Sequence, residues 1–243
     1  MKQIFSITFL VSMVLTLNAQ QTVKLTNKDA SALIRKINER ILEARHYSCE
    51  MSYQIFNAHN DSQAMETISG YYRRSGSNEH SMLLGIETIQ NEDERVVVDT
   101  SGQSIVLIAP VVKPQLIEEN LQLALASCNN ILLVSGTGQS ILRFLPDERS
   151  MTNIKSMEIV YDNDKFFIRS ITMCYTNTPI PGFDKVTNPK VVIAYSNIST
   201  SHIPNSEFKI DPYLEKKNNT YKVTDTYKDY TFFNQLSQEN ENN

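Results

Sequence analysis

The sequence predicts a mainly β protein, an antiparallel sheet of short strands with one apolar face and a few amphipathic helices laid over it. Three observations carry that reading. From Cys49 onward, apolar and polar residues alternate with a period of two through run after run. The runs are joined by short polar turns, which suit a meander and leave no room for parallel crossovers. Two segments, 27–47 and 114–128, change to a helical pattern, and a helix with one apolar stripe needs a surface to cover.

Residues 1–19 come before all of this and read as a secretory signal peptide. Lys2 is the positive start, 4–17 is an apolar run broken by Ser6, Ser12 and Thr16, and Leu17-Asn18-Ala19 places a small residue before Gln20. The run is short for a bilayer span; an uncleaved anchor is the alternative. No Cys follows it, so the attachment site of a lipoprotein is missing. The expectation is an exported, periplasmic chain of about 224 residues, soluble after cleavage, with one domain over 20–236 and a disordered polar tail over 237–243.

In segment 27–47, Ala30, Leu33, Ile34, Ile37, Ile41 and Ala44 form one helical stripe, with Lys36, Asn38, Glu39 and Glu43 away from it. Then Met51, Tyr53 and Ile55 alternate with Glu50, Ser52 and Gln54, the pattern of a half-buried strand. Further strands are expected at 65–74, 81–90, 95–100 and 103–109, with breaks at Gly76-Ser77-Asn78, Asn91-Glu92-Asp93 and Ser101-Gly102. Pro114 suits a first helical turn, Glu118 and Glu119 suit its positive end, and Leu116, Leu121, Leu123 and Leu125 make a wide apolar face. Strands return over 131–145, bent at Gly136 and Gly138, then at 156–161 and 165–175 across Asp162-Asn163-Asp164. A proline-bearing loop at 178–182 precedes a strand at 189–197, and 208–211 and 220–223 read as short edge pieces.

The chain is 41% apolar and 21% charged, enough for a sizeable core. A net charge of −4, with basic clusters no longer than doublets such as Arg73-Arg74 and Lys216-Lys217, gives no footprint for nucleic acid. Three cysteines, Cys49, Cys128 and Cys174, leave at least one unpaired in a monomer, and three buried thiols describe them better than a redox pair. His46, His59, His80 and His202 are isolated, and no HExxH, GxSxG or GxxxxGK[ST] occurs. Gly136-Thr137-Gly138-Gln139-Ser140 has the glycines of a phosphate loop without its Lys, and Asp162-Asn163-Asp164 lacks the Gly and closing Glu of a calcium loop. Ser127-Cys128 has no His or acid nearby in sequence to activate it, and helix packing is the expected role of Cys128. No catalytic residue, metal or cofactor is expected.

What remains is apolar architecture. Tyr53, Tyr71, Tyr72, Met82, Tyr161, Phe166, Phe167, Met173, Tyr175 and Tyr195 fall on strand segments, where they either line a pocket for variable apolar ligands or fill a dry core. Segment 220–236, with Tyr221, Tyr227, Tyr230, Phe232 and Phe233, is either an interface or a strap folded back on the sheet.

The order of leader, amphipathic helix, strand 51–56, Gly70-Tyr71-Tyr72-Arg73-Arg74, and then the hairpin from Val96-Val97-Val98-Asp99-Thr100-Ser101-Gly102-Gln103 to Ile105-Val106-Leu107-Ile108-Ala109-Pro110 resembles the LolA-like outer-membrane lipoprotein carriers. Met157-Glu158-Ile159-Val160-Tyr161, the strand Val191-Val192-Ile193-Ala194-Tyr195-Ser196-Asn197 and Phe208-Lys209-Ile210 resemble the family's closing strands. The likeness spans about 28–212, with 213–236 as an extension and no Trp anywhere. It implies an incomplete antiparallel β-barrel covered by helices, a monomer that shields the acyl chains of a lipoprotein between an inner-membrane releasing complex and an outer-membrane acceptor. On that resemblance the apolar face is expected from Met51, Tyr53, Ile55, Tyr72, Met82, Leu84, Ile159, Tyr161, Ile171, Met173, Ile193 and Tyr195. Leu33, Ile34, Ile37, Ile41, Leu121 and Leu125 are the expected lid, and Arg74, on the same alternation as Tyr72, the polar latch. The alternative is a non-catalytic binding or sensing module of the same fold that contacts another envelope protein. A pocket of several hundred Å³ between sheet and helices favours the carrier, and a collapsed interior the module.

Overall fold

A computed structural model describes residues 21–111, 128–147, 153–176, 186, 188–218 and 220–236. In chain order these form β1 (Gln21–Leu25), α1 (Asn27–Glu43), β2 (His46–Phe56), β3 (Glu66–Ser75), β4 (Asn78–Leu83), β5 (Ile86–Gln90), β6 (Arg95–Asp99) and β7 (Ser104–Ile108). There follow β8 (Cys128–Ser135), β9 (Gln139–Pro146), β10 (Ile154–Asp162), β11 (Ile168–Tyr175), β12 (Lys190–Ser199), β13 (Leu214–Lys217), β14 (Thr220–Val223) and β15 (Thr231–Asn234). Thirteen strands make one sheet, ordered β1-β8-β9-β10-β11-β12-β2-β3-β4-β5-β6-β7-β15, while β13 and β14 form a separate ribbon. Every neighbouring pair in the large sheet is antiparallel except β15 on β7. β2 to β7 meander outward from the middle, and β8 to β12 return from the far edge until β12 meets β2. The edges β1 and β15 do not pair with each other, so the sheet is open: a mainly β half-barrel with a covering helix.

α1 starts where the Thr26 hydroxyl accepts a hydrogen bond from the Asp29 amide at 3.2 Å, an N-cap with an acid in the first turn. Its buried stripe is Ala30, Ile34, Ile37 and Ile41, joined by Asn38. The helix ends at Glu43, short of the expected 47, because the alternation Tyr47, Cys49, Met51 has already begun and turns Tyr47 into a buried strand residue. Among the described residues no helix is long and apolar enough to cross a membrane.

The sheet has two cores on opposite faces. On the inner face, α1 lies across β8 to β11 and β2, packing Ala30, Ile34 and Ile37 on Ile131, Leu142, Phe144, Ile159 and Ile171, and Ile41 with Tyr47, Cys49 and Phe167. On the outer face of β5 to β7, Ile89, Val96, Val98, Ile105 and Leu107 are covered by Ile210, Tyr213, Leu214, Tyr221, Tyr227, Tyr230 and Phe232. The aromatic C-terminal segment is therefore a strap folded back on the sheet.

Several expected elements differ. β1 was not legible in the pattern. The run 81–90 is two strands, split by a two-residue turn in which Leu84 and Gly85 both have positive φ, +54° and +78°. Cys128 opens β8, fully buried, and does not end a helix; the expected helix at 114–127, with Leu121 and Leu125, lies outside the described residues, as do 1–20, the 178–182 loop and the tail. Segment 208–211 is not a strand: a 3₁₀ turn at Asn205–Phe208 leads into the strap. β15, parallel to β7, is a further strand that the polar surroundings of Phe232 and Phe233 concealed.

Two substitutions test these local constraints. At Gly70 in β3 an added Cβ would stand 2.2 Å from the Met82 carbonyl oxygen, so Gly70→Ala should destabilise by about 1–3 kcal/mol in urea unfolding. Leu84 holds a left-handed conformation while 48% exposed, so Leu84→Asn should stabilise by about 0.5–1 kcal/mol by the same measurement.

Candidate functional site

Cross-strand register builds the inner face as continuous rows. One runs Leu25, Ile131, Phe144, Met157, Met173, Val191, Ile55. The next runs Val23, Leu133, Leu142, Ile159, Ile171, Ile193, Tyr53, Ile68. Beyond them Tyr195, Met51 and Gly70 are in register, then Cys49 with Tyr72, then Tyr47 with Arg74. Period-two geometry sends every one of these side chains to the same side.

Ten of the twelve residues expected on this face are on it. Ile55, Ile159, Tyr161 and Ile171 are buried, while Met51, Tyr53, Tyr72, Met173, Ile193 and Tyr195 are half-buried. Two are elsewhere. Met82 pairs with Tyr71, one position out of phase with Tyr72, and so faces outward; Leu84 is in the β4–β5 turn. Their inner-face counterpart is Leu83, opposite Gly70, and Ile68 joins it. Reading 81–90 as one strand hides this, because β4 begins at Asn78 and takes its phase from the hairpin with β3, and Leu84 has already left the strand. Of the expected lid, Leu33, Ile34, Ile37 and Ile41 all lie on the sheet side of α1.

α1 covers one part of the face and not the rest. Tyr53, Ile68, Leu83, Met173 and Ile193 stay half-buried. A cavity of about 490 Å³ lies on the outer side between Glu94, Phe208, Lys216 and Tyr221. Another, about 510 Å³, is at the loop from Asp61 to Met65. Neither of these lies under α1.

The face is electrically quiet. Burial pushes the Cys49 thiol up to about 11 and Tyr195 up to about 12. Burial also raises Tyr53 and Tyr175, and burial together with Glu79 raises Tyr72. At neutral pH these groups are uncharged, so Cys49 offers no thiolate.

The exception is Arg74, only 5% exposed. Its guanidinium donates to the carbonyl oxygen of Ile41, to that of Leu42 at 3.3 Å and to that of Ala44 at 2.8 Å. These are carbonyls that the end of α1 leaves without helical partners, at the negative pole of the helix. Arg74 thus joins the helix end to β3. Alternation sends its neighbour outward: Arg73 sits 4.6 Å over the Tyr71 ring and pairs with Glu207 in the turn that leads into the strap. Nearby, Tyr71, His80, Glu87 and Tyr213 share hydrogen bonds, and the bond from His80 holds the Glu87 carboxyl below the usual carboxylate range. Ser206 and Lys209, spaced as SxxK, are both exposed at the strap's entry. Among the described residues no three His, Cys, Asp or Glu side chains are placed to hold a metal ion.

No family model and no curated protein matches the chain. Solved structures do. A conserved, uncharacterized protein from Thermus thermophilus matches at 8% identity, over 83% of this chain and 99% of that one, with a TM-score of 0.41. A LolA superfamily protein from Nitrosomonas europaea matches at 10% identity, over 73% and 97%, with a TM-score of 0.30. The Pseudomonas aeruginosa MucA/MucB complex matches at 12% identity, over 81% of this chain and 63% of that one, with a TM-score of 0.35. Likenesses this distant carry nothing about function, which rests on the residues above.

Arg74→Ala should lower the unfolding free energy by about 2–3 kcal/mol, the cost of stripping charged hydrogen bonds from buried carbonyls, with faster amide exchange in the last turn of α1. Arg74→Lys should recover only part of it, since one ammonium cannot fork across three carbonyls.

Proposed function

We propose that this chain is a non-catalytic protein of the bacterial envelope that holds an acyl chain, or a comparable apolar ligand, on the inner face of its sheet and passes it on. The observation behind this reading is a half-covered band: Ile171, Ile193, Tyr53 and Ile68 are in register across β11, β12, β2 and β3, Leu83 of β4 lies on the diagonal beside Gly70, and α1 does not cover the far end. At about 4.8 Å per strand the band is roughly 19 Å long, the length of a long-chain acyl group. It is apolar and uncharged, and it borders a helix held at its end by one arginine.

Magnitudes favour a partial site over a sealed one. Full burial of a sixteen-carbon chain is worth about 13 kcal/mol at about 0.8 kcal/mol per methylene. Half burial leaves about 6 kcal/mol before the cost of association, which allows binding and release. On this reading lipoprotein acyl chains are the cargo, the leader exports the chain, and membrane-bound partners load and unload it. The second reading, a binding or sensing module, has the row Val97, Val106 and Phe233 behind it, which ends at the open edge of β15 with Phe233 50% exposed.

Titration of the purified protein with palmitate, followed by native mass spectrometry, separates the two. The carrier reading expects a bound acyl chain, its loss in Ile193→Glu folded to wild-type ellipticity, and faster release from Arg74→Ala. A wild-type protein that takes up no acyl chain leaves only the module.

A further inference from the structure

The outer cavity of about 490 Å³ has no part in the acyl-binding reading, and its size falls within the range of about 300–1,000 Å³ typical of small-molecule sites. It lies where Asn78, which opens β4, and the Asn91–Glu94 turn between β5 and β6 face the strap and the turn that leads into it. One wall is already built. Glu94, 7% exposed, accepts hydrogen bonds from Lys216 Nζ at 3.0 Å, from the Tyr221 hydroxyl and from Asn91 Nδ2 at 3.4 Å. Asn91 Oδ1 in turn accepts from the Asp93 and Glu94 amides, both at 2.9 Å, which locks the turn. Other groups of the lining are unspent. Asn78 Oδ1 is buried without a hydrogen-bond partner, a costly state that calls for a donor. Among the described residues Glu92, Asp93, Asp211 and Lys209 form no ion pair.

This lining narrows the chemistry of a ligand. Phe208 and Leu214 belong to it but are each 2% exposed, so a hydrocarbon meets almost no apolar surface there. Both signs of charge stand around the cavity, Glu92, Asp93 and Asp211 against Lys209 and Lys216, so a charged ligand of either sign meets repulsion. Among the described residues no three His, Cys, Asp or Glu side chains are placed to hold a metal ion. A hydroxyl donates and accepts at once. It meets Asn78 Oδ1 and the carboxylates as a donor, and Lys209 and the Asn205 amide as an acceptor. We propose that this cavity binds a neutral saccharide, whose adjacent hydroxyls pair with Asn78, Asp93, Lys209 and Asp211. The assignment does not depend on the acyl-binding reading, because the two sites lie on opposite faces of the sheet.

Saturation-transfer NMR on the purified protein tests it. The neutral probes are glucose, galactose, N-acetylglucosamine and their β-linked disaccharides, with glucuronate as the anionic comparator and spermidine as the cationic one. At least one neutral sugar should bind, and more tightly than either comparator. Asp93→Ala and Asn78→Ala should each weaken that sugar about tenfold, the loss of one hydrogen bond. Asp93 is exposed on its turn, so Asp93→Ala should melt with the wild type and separates lost binding from lost folding. Binding of no neutral sugar, tighter binding of glucuronate or spermidine, or sugar binding that survives both substitutions overturns the assignment. The palmitate titration is unaffected by any of these results.

Discussion

One constraint organises the molecule: an antiparallel sheet must keep one face dry along its whole width, and here no single element is wide enough to do it. α1 spans the strands from β8 to β2 on the inner face. The strap from Ile210 to Leu236 shields β5 to β7 on the outer face. The dry side thus changes across β3 and β4. Phase records the change: Tyr72 and Arg74 point into the inner core, while Tyr71 and Arg73 point to the strap. Because the strap took the outer side, Ile68 and Leu83 on the inner side beyond α1 are half-buried, and among the described residues no second element covers them.

Charge is placed to suit that division. A lone arginine among apolar side chains would be expensive to bury. Arg74 is tolerated because it meets carbonyls at the end of α1 that would otherwise be unpaired. The bond is between a side chain and the helix terminus, so it ties one point of α1; along the rest of the helix the apolar stripe and Lys36 over the Phe166 ring make the contact.

Much of this was legible in the chain. Alternation is a local signal, so Met51, Tyr53 and Ile55 could be placed with Ile193 and Tyr195 on one face, and Arg74 with Tyr72, before any pairing was known. The failures share a cause. Phase carries only until something resets it, and Leu84 gives no warning that it occupies a position usually held by Asn or Gly. Leu84 was misplaced as a result, while Met82 takes its side from the β3–β4 hairpin, which sets it opposite Tyr71. Asn38 was invisible for another reason: it reads as the polar edge of an amphipathic helix, and only packing shows that this edge is buried. The outward turn of the strap was equally hidden, since the aromatics of 220–236 suit either a partner or the chain's own sheet.

The two covers differ in how readily they could move. The strap is held by Arg73 on Glu207, by Glu87 on Tyr213, by Lys216 and Tyr221 on Glu94, and by the β15–β7 ladder, so lifting it breaks ion pairs and main-chain bonds together. Against the inner face α1 has Arg74 at one end, Lys36 over Phe166, and the burial of three isoleucines, Ile34, Ile37 and Ile41. That burial amounts to roughly 5–9 kcal/mol at about 1.5–3 kcal/mol each. Half of a long acyl chain brings a similar sum, so a ligand displacing part of α1 exchanges one apolar contact for another at little net cost. On the acyl-binding proposal, α1 and not the strap is the cover that a ligand would displace.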